Sequence, residues 1–187
     1  MRFRHRVDIY EGQFESYPSR MNILEETNTS QRDGRRDFDF LVGSWQVAHR
    51  RRQAPLSGPD EWYEFSGTCV ASQFWNGLGN MDDNVMHMPQ GRVAAISVRF
   101  YNQQTRQWSI YWATDKNGLA PIPTVGAFED DGVGRFYDRE TFEGQPIVVR
   151  YTWFVDGPDS LRWEQAFSTD DGATWLNNWM MVLARTA

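Results

Sequence analysis

Residues 146–168 read PIVVRYTWFVDGPDSLRWEQAFS, two runs of alternating character separated by DGPDS at 156–160. A period of two puts successive side chains on opposite faces of a strand. Asp, Gly, Pro and Ser between two such runs mark a tight turn. The stretch therefore predicts an antiparallel hairpin. On its first strand Ile147, Val149, Tyr151, Trp153 and Val155 share one face, and Val148, Arg150, Thr152 and Phe154 the other. On its second, Leu161, Trp163, Gln165 and Phe167 oppose Arg162, Glu164 and Ala166. The turn sets Trp153 across from Trp163 and Thr152 across from Glu164, with Arg150 diagonal to Glu164 and within reach of a long side chain.

The same texture extends in both directions from this hairpin. DFDFLVGSWQVAHRRR (37–52), EWYEFSGTCVASQFW (61–75), MDDNVMHM (81–88), RVAAISVRFY (92–101), QWSIYWAT (107–114) and WLNNWMMVLAR (175–185) are short strand-like runs between turn signals. Together with two or three strands in 125–155 they make about nine or ten strands, with almost no room for helices after residue 40. Consecutive strands on short turns favour a meander. A sheet with no helices to cover it must close or stack on itself. The predicted fold class is all-β: an antiparallel up-and-down β-barrel, which removes the sheet edges and encloses a cavity. A β-sandwich is the alternative. Residues 1–36 show no sustained period and are read as an irregular N-terminal arm, with a short helix at MNILEETN (21–28) broken by TSQRDGRR. Residues 37–187 form the single β-barrel domain.

Composition narrows the function classes. At 187 residues the chain is long enough for one domain with a sizeable core. Its one cysteine, Cys69, leaves no internal disulfide or cysteine-rich metal site. The net charge of −6 argues against nucleic acid as a partner. No apolar run is long enough to span a membrane, and the start lacks the apolar stretch of a secretory signal, so a cytoplasmic location is expected. Nine Trp, seven Tyr and twelve Phe are the outlying feature. Such residues suit strands and the walls of a small-molecule cavity.

One motif invites a different function. Residues 168–175, STDDGATW, fit S-x-D-x-G-x-T-W, which resembles the Asp-box hairpins of sialidases. The residue types explain themselves as a turn: Asp and Ser oxygens accept from nearby backbone N–H groups, Gly supplies a positive φ, and Trp175 packs beneath. There is one box and no repeat of propeller-blade length. The motif folds a turn and does not announce a glycosidase.

GSW at 43–45, after the aromatic-rich DFDFLV, resembles the G-x-W signature on the first strand of calycins, the lipocalin-like barrels. From residue 37 onward the chain also resembles a group of bacterial proteins with a calycin-like barrel, catalogued as a domain of unknown function. The likeness rests on DFDFLVGSW, EFSGT followed by GLGNMDDN, RFYNQQTRQWSIYW, and RWEQAFSTDDGATWLNNW. It implies a fold rather than an activity.

Candidate site residues follow from which face turns inward. Trp45, Val47 and His49 share a face, so if Trp45 closes the barrel floor His49 points into the cavity, where a histidine can act as acid or base. If the tryptophan sets face inward, Trp45, Trp112, Trp153, Trp163 and Trp179 are aromatic walls and Gln165 is a polar anchor. If the polar sets face inward, Arg99, Arg150, Glu164 and Asn178 form one polar lining. Arg99 in a cavity would hold a carboxylate or polarise a carbonyl, and Tyr111 would donate a hydrogen bond. Two functions result. The first is binding of a small hydrophobic or aromatic ligand. The second is a cofactor-independent isomerase, cyclase or lyase acting on such a molecule, with His49 or Glu164 as base and Arg99 or Tyr111 as electrophile. No metal or cofactor is expected: the three histidines, including His87, have no ligand spacing, and MDDN lacks the pattern of a calcium loop. The last strand is apolar on both faces, one to cover the interior and one to meet a partner, so a homodimer is expected.

Overall fold

The computed structural model describes residues 33–56 and 58–186. The expectations for residues 1–32 lie outside them. Among the described residues eleven strands form: β1 (Gly43–Arg52), β2 (Trp62–Phe74), β3 (Gly79–Met88), β4 (Gly91–Asn102), β5 (Gln107–Thr114), β6 (Gly118–Leu119), β7 (Thr124–Phe128), β8 (Gly134–Phe142), β9 (Gln145–Gly157), β10 (Ser160–Ser168) and β11 (Leu176–Arg185). All but β6 pair antiparallel around a closed ring, β1 bonding to β11 and β4 to β5. The two-residue β6 adds to the end of β5. The all-β barrel expected from the alternating runs is the architecture, and closure of the ring excludes the two-layer sandwich.

The hairpin that opened the sequence reading forms as its turn dictates. Trp153 pairs with Trp163, and Thr152 with Glu164. Trp153 and Trp163 are buried in the core, with Trp45, Trp108 and Trp179. The tryptophan sets face inward, because enclosing these large apolar surfaces outweighs anything the polar sets would gain there.

One end of the ring is closed. Residues 34–41 form two short 3-10 turns, Gly34–Arg36 and Asp39–Leu41. They carry Phe38 and Leu41 into the core, where both are almost fully buried. Phe38 meets the rings of Trp108, Phe128, Phe136 and Trp153 at centroid separations of 5.1 to 6.1 Å. The backbone of Gly34 is fastened at both ends: its N–H donates to the Tyr101 hydroxyl at 2.9 Å, and its carbonyl accepts from the Trp108 indole at 3.1 Å. The sequence reading assigned Gly34–Arg36 to the arm, and these bonds tie that turn to β4 and β5.

The G-x-W signature gains a physical meaning here. The Trp45 indole donates to the Leu41 carbonyl at 2.8 Å. The Arg185 guanidinium lies 4.1 Å from the Trp45 ring centroid and donates to the carbonyls of Phe40, Val42 and Pro158 at 2.8 to 3.0 Å. Gly43 has φ +127°, and a Cβ there would overlap Arg185 Nη1. Glycine is required twice over, for its backbone conformation and for the room it leaves the guanidinium. Gly43→Ala should cost on the order of 2 kcal/mol or more. Replacing Arg185 by Ala in the same chain should return part of that cost, since the two residues compete for one space. Equilibrium urea unfolding of the two single variants and the double variant measures this, and strict additivity would contradict it.

Candidate functional site

Buried charge and packed aromatics divide the barrel interior into tiers. Nearest the closed end, Arg99 on β4 and Asp82 on β3 form an ion pair at 2.6 Å, with both side chains almost wholly buried. The register places them side by side, Asn80 opposite Arg99 and Asp82 opposite Ser97. Asn80 Oδ1 accepts from Arg99 Nη1 at 3.0 Å, while Asp82 Oδ1 accepts from the Ser97 N–H at 3.2 Å and from the Asn84 amide. The guanidinium carbon sits 5.0 Å from the Phe38 ring centroid and 5.8 Å from that of Trp153. Arg99 does point inward, but its guanidinium is enclosed by a carboxylate, an amide and two rings, an arrangement that holds β3 to β4 across the core. Cys69 lies buried on the neighbouring strand, and burial, reinforced by the Asp82 charge, pushes its thiol far up. Such a thiol is inert.

The middle tier is aromatic. The His49 ring stacks on Phe65 at 4.4 Å, and the Trp179 indole donates to His49 Nδ1 at 3.2 Å. Trp179 meets Trp163 edge-on at 5.6 Å and Trp112 at 6.3 Å, while Tyr151 packs on Trp163 at 5.0 Å. Gly67 pairs with Val47, diagonal to His49, and a Cβ there would fall 2.8 Å from His49 Nε2. Burial lowers the His49 pKa to about 4. The ring is therefore neutral near pH 7, with Nδ1 as acceptor and the proton assigned to Nε2. Gln165 Nε2 donates to Asn178 Oδ1 at 2.8 Å. A register shift after Gln165 brings the Asn178 side chain to it.

Above this tier the ring is open. A pocket of about 470 Å³ lies at the end away from Trp45, with Tyr63, Met88 and Val93 among its apolar walls and Arg51, Arg92 and Lys116 at its rim. The Arg51 guanidinium rests 4.7 Å from the Trp179 ring centroid, so it joins the pocket floor to the aromatic tier. The loop between β1 and β2 leans over the other side, with Leu56 packed against Ile147, Val149 and Phe167.

Three expected site residues do not reach the interior. Tyr111 pairs with Val98 and contacts the Phe100 ring, so it faces outward, one position out of step with the inward Ile110 opposite Arg99. Arg150 lies over the Trp175 ring at 4.3 Å, and Glu164 accepts from the Asn177 amide at 2.9 Å. Both belong to the outer face, because Trp153 and Trp163 on the same strands take the inner one. His49, Arg99, Tyr111 and Glu164 are therefore not one catalytic cluster. Trp45, Trp112, Trp153, Trp163, Gln165, Asn178 and Trp179 all turn inward, though Trp45 and Trp153 belong to the closed end. The sequence reading missed Arg51, Arg92 and Lys116, which stand at strand ends and beside turns, where a basic residue carries no pattern. Among the described residues no group of three or more His, Cys, Asp and Glu is placed to hold a metal ion. No helix of theirs is long and apolar enough to cross a membrane.

The Asp box closes the β10–β11 turn. Ser168 Oγ accepts from the Gly172 N–H at 2.8 Å, and Asp170 accepts from the Thr174 N–H at 2.8 Å and from its hydroxyl at 2.6 Å. These bonds, the Thr174 hydroxyl first, lower the Asp170 pKa to about 2. The Ser168, Asp170 and Thr174 side chains are all engaged within the turn.

Comparison with known proteins bears on the scaffold. The S-type phycobiliprotein lyase CPES from Guillardia theta superposes with a TM-score of 0.56 at 13% identity, over 84% of this chain and 94% of that one. Rv2717c from M. tuberculosis does so with a TM-score of 0.56 at 12% identity, over 81% and 98%. These likenesses fit the calycin-like fold. No protein-family model and no curated protein matches the sequence.

Two outcomes test the tiers. Removing one partner of the buried pair, as in Arg99→Met, should cost about 3–5 kcal/mol, because it strands the Asp82 charge in the core. The double change Arg99→Met with Asp82→Leu should be markedly less costly than either single variant, read by urea unfolding. His49 contributes stability that is full above about pH 6.5 and is lost as pH falls towards 4, since the unfolded chain takes up a proton that the folded chain refuses. That loss is worth roughly 3 kcal/mol. His49→Gln should unfold with a visibly flatter pH dependence between pH 6.5 and 4.5 than the parent, and an unchanged slope would refute the assignment.

Proposed function

We propose that this protein binds a small hydrophobic or aromatic molecule at the open end of its barrel. The observation that carries the reading is an opening of about 470 Å³, walled by Tyr63, Met88 and Val93, above a tier of packed aromatic rings. Its size falls within the range of small-molecule sites, roughly 300–1,000 Å³. The rings beneath it are held by one another and by the His49 hydrogen bond, so a flat guest would meet a preformed surface and order little on binding. The residues expected to catalyse a reaction do not converge there. Tyr111 and Glu164 face outward, Arg99 is enclosed, and His49 already accepts a proton donor at Nδ1. Binding is the reading their geometry favours.

Titration with 2-naphthol should quench tryptophan fluorescence saturably, because Trp179 lies under Arg51 at the pocket floor. Val93→Trp, which fills the pocket from β4, should weaken that binding by tenfold or more while the protein keeps its unfolding transition. Quenching that persists unchanged in Val93→Trp would place the guest elsewhere and defeat the reading.

A further inference from the structure

The pocket rim departs sharply from the rest of the chain in charge. The protein as a whole carries −6, yet Arg51, Arg52, Arg92 and Lys116 all border this opening and no acidic residue lines it. Two of the four are already engaged. Arg52 pairs with Asp60 at 3.2 Å and donates to the Pro59 carbonyl, and Lys116 stands 3.6 Å from Asp115. Arg51 and Arg92 have no carboxylate partner among the described residues. Arg51 is half-buried, with its guanidinium on Trp179, and it projects from β1 beside Tyr63 at the pocket floor. Arg92, exposed at the start of β4, stands one residue before the apolar Val93. Cationic groups and an apolar wall therefore share one small space.

We propose that the occupant of this pocket is an amphipathic anion, a small aromatic or apolar monocarboxylate whose body lies on Tyr63, Met88 and Val93 and whose carboxylate is held by Arg51 and Arg92. This rests on the ligand-binding reading above and narrows it to one chemical class. A guanidinium offers a carboxylate two parallel N–H donors. Arg51 is already stacked on an indole, so it surrenders little side-chain freedom on capturing the ligand.

The test uses the full chain and three probes of one shape: 2-naphthylacetate, 2-naphthylacetamide and 2-(2-naphthyl)ethylamine, titrated by calorimetry at pH 7.5 in 50 mM salt. The acetate should bind at least tenfold more tightly than the amide. Its advantage should shrink in 0.5 M salt and vanish in Arg51→Gln/Arg92→Gln. Arg92→Gln alone, a change at an exposed position, should remove part of the advantage without altering the melting temperature, which guards against a folding defect in the double variant. Equal affinity for acetate and amide would overturn the carboxylate assignment while leaving the apolar site standing, and so would tightest binding of the amine. An acetate preference that survives the double variant would overturn the role of the two arginines. Failure of all three probes up to their solubility would remove the ligand-binding reading together with this one.

Discussion

The guanidinium of Arg185 sits on the ring of Trp45 and holds the carbonyls of Phe40, Val42 and Pro158. A ten-strand ring has two mouths, and an unplugged mouth would leave a column of aromatic side chains open to water. This contact settles which mouth is shut. It binds the last strand to the segment just before the first, at the seam where β1 meets β11, so closing the floor and closing the ring are one event. The carbonyls it collects lie in irregular backbone, where no strand partner is on offer, and a charged donor satisfies several of them at once. Gly43 exists to let that guanidinium pass.

A floor shut in this way commits the interior above it. Phe38 and Leu41 fill the base, and an ion pair of Arg99 with Asp82 occupies the next level. A pair so deeply buried gains little net stability over an apolar filling, but its geometry is demanding. It works in one register only, with Asn80, Asn84 and Ser97 all supplying bonds. A slip of one residue between β3 and β4 would turn Asp82 to solvent and leave Arg99 alone in the core. The charge is best understood as a lock on strand pairing. Its consequence is spatial: together with the aromatic tier around Trp179 it fills the lower barrel, and the open space that remains lies at the mouth.

Much of this was legible beforehand, and the limits have physical causes. Alternation and turn residues give strands, pairing and closure, because side-chain period and turn chemistry are local properties. They place Trp153 against Trp163 and Thr152 against Glu164, as the structure has them. Which face turns inward is a global property. On β9 and β10 each face carries large residues, and the decision depends on what the rest of the ring brings to the axis. Arg150 and Glu164 therefore read as a lining and prove to be an outer-face pair of neighbours to Trp175 and Asn177. Tyr111 failed for the same reason, one step of register. The partner of Arg99 was in plain view: Asn80, Asp82 and Asn84 alternate along NMDDN (80–84), and the short turn after Met88 brings them opposite Arg99, Ser97 and Ala95. The period of two in that run was itself the signal.

The plug and the rim had no such signal. Leu41 sits in a 3-10 turn and Phe38 immediately before it, with no period to reveal them, and Arg51, Arg92 and Lys116 come from three separate turns or strand ends that only closure assembles. This division has a reason. Residues that make a barrel must repeat along every strand, so they leave a pattern. Residues that give one barrel its specificity gather at the mouth, each from a different loop or strand end, and are free of that pattern because the fold asks nothing of them. A concentration of positive charge at one opening of an acidic protein is then more informative than any single residue in the core. The core is explained once folding is explained, whereas like charges brought together at a rim oppose folding slightly, and folding does not account for them.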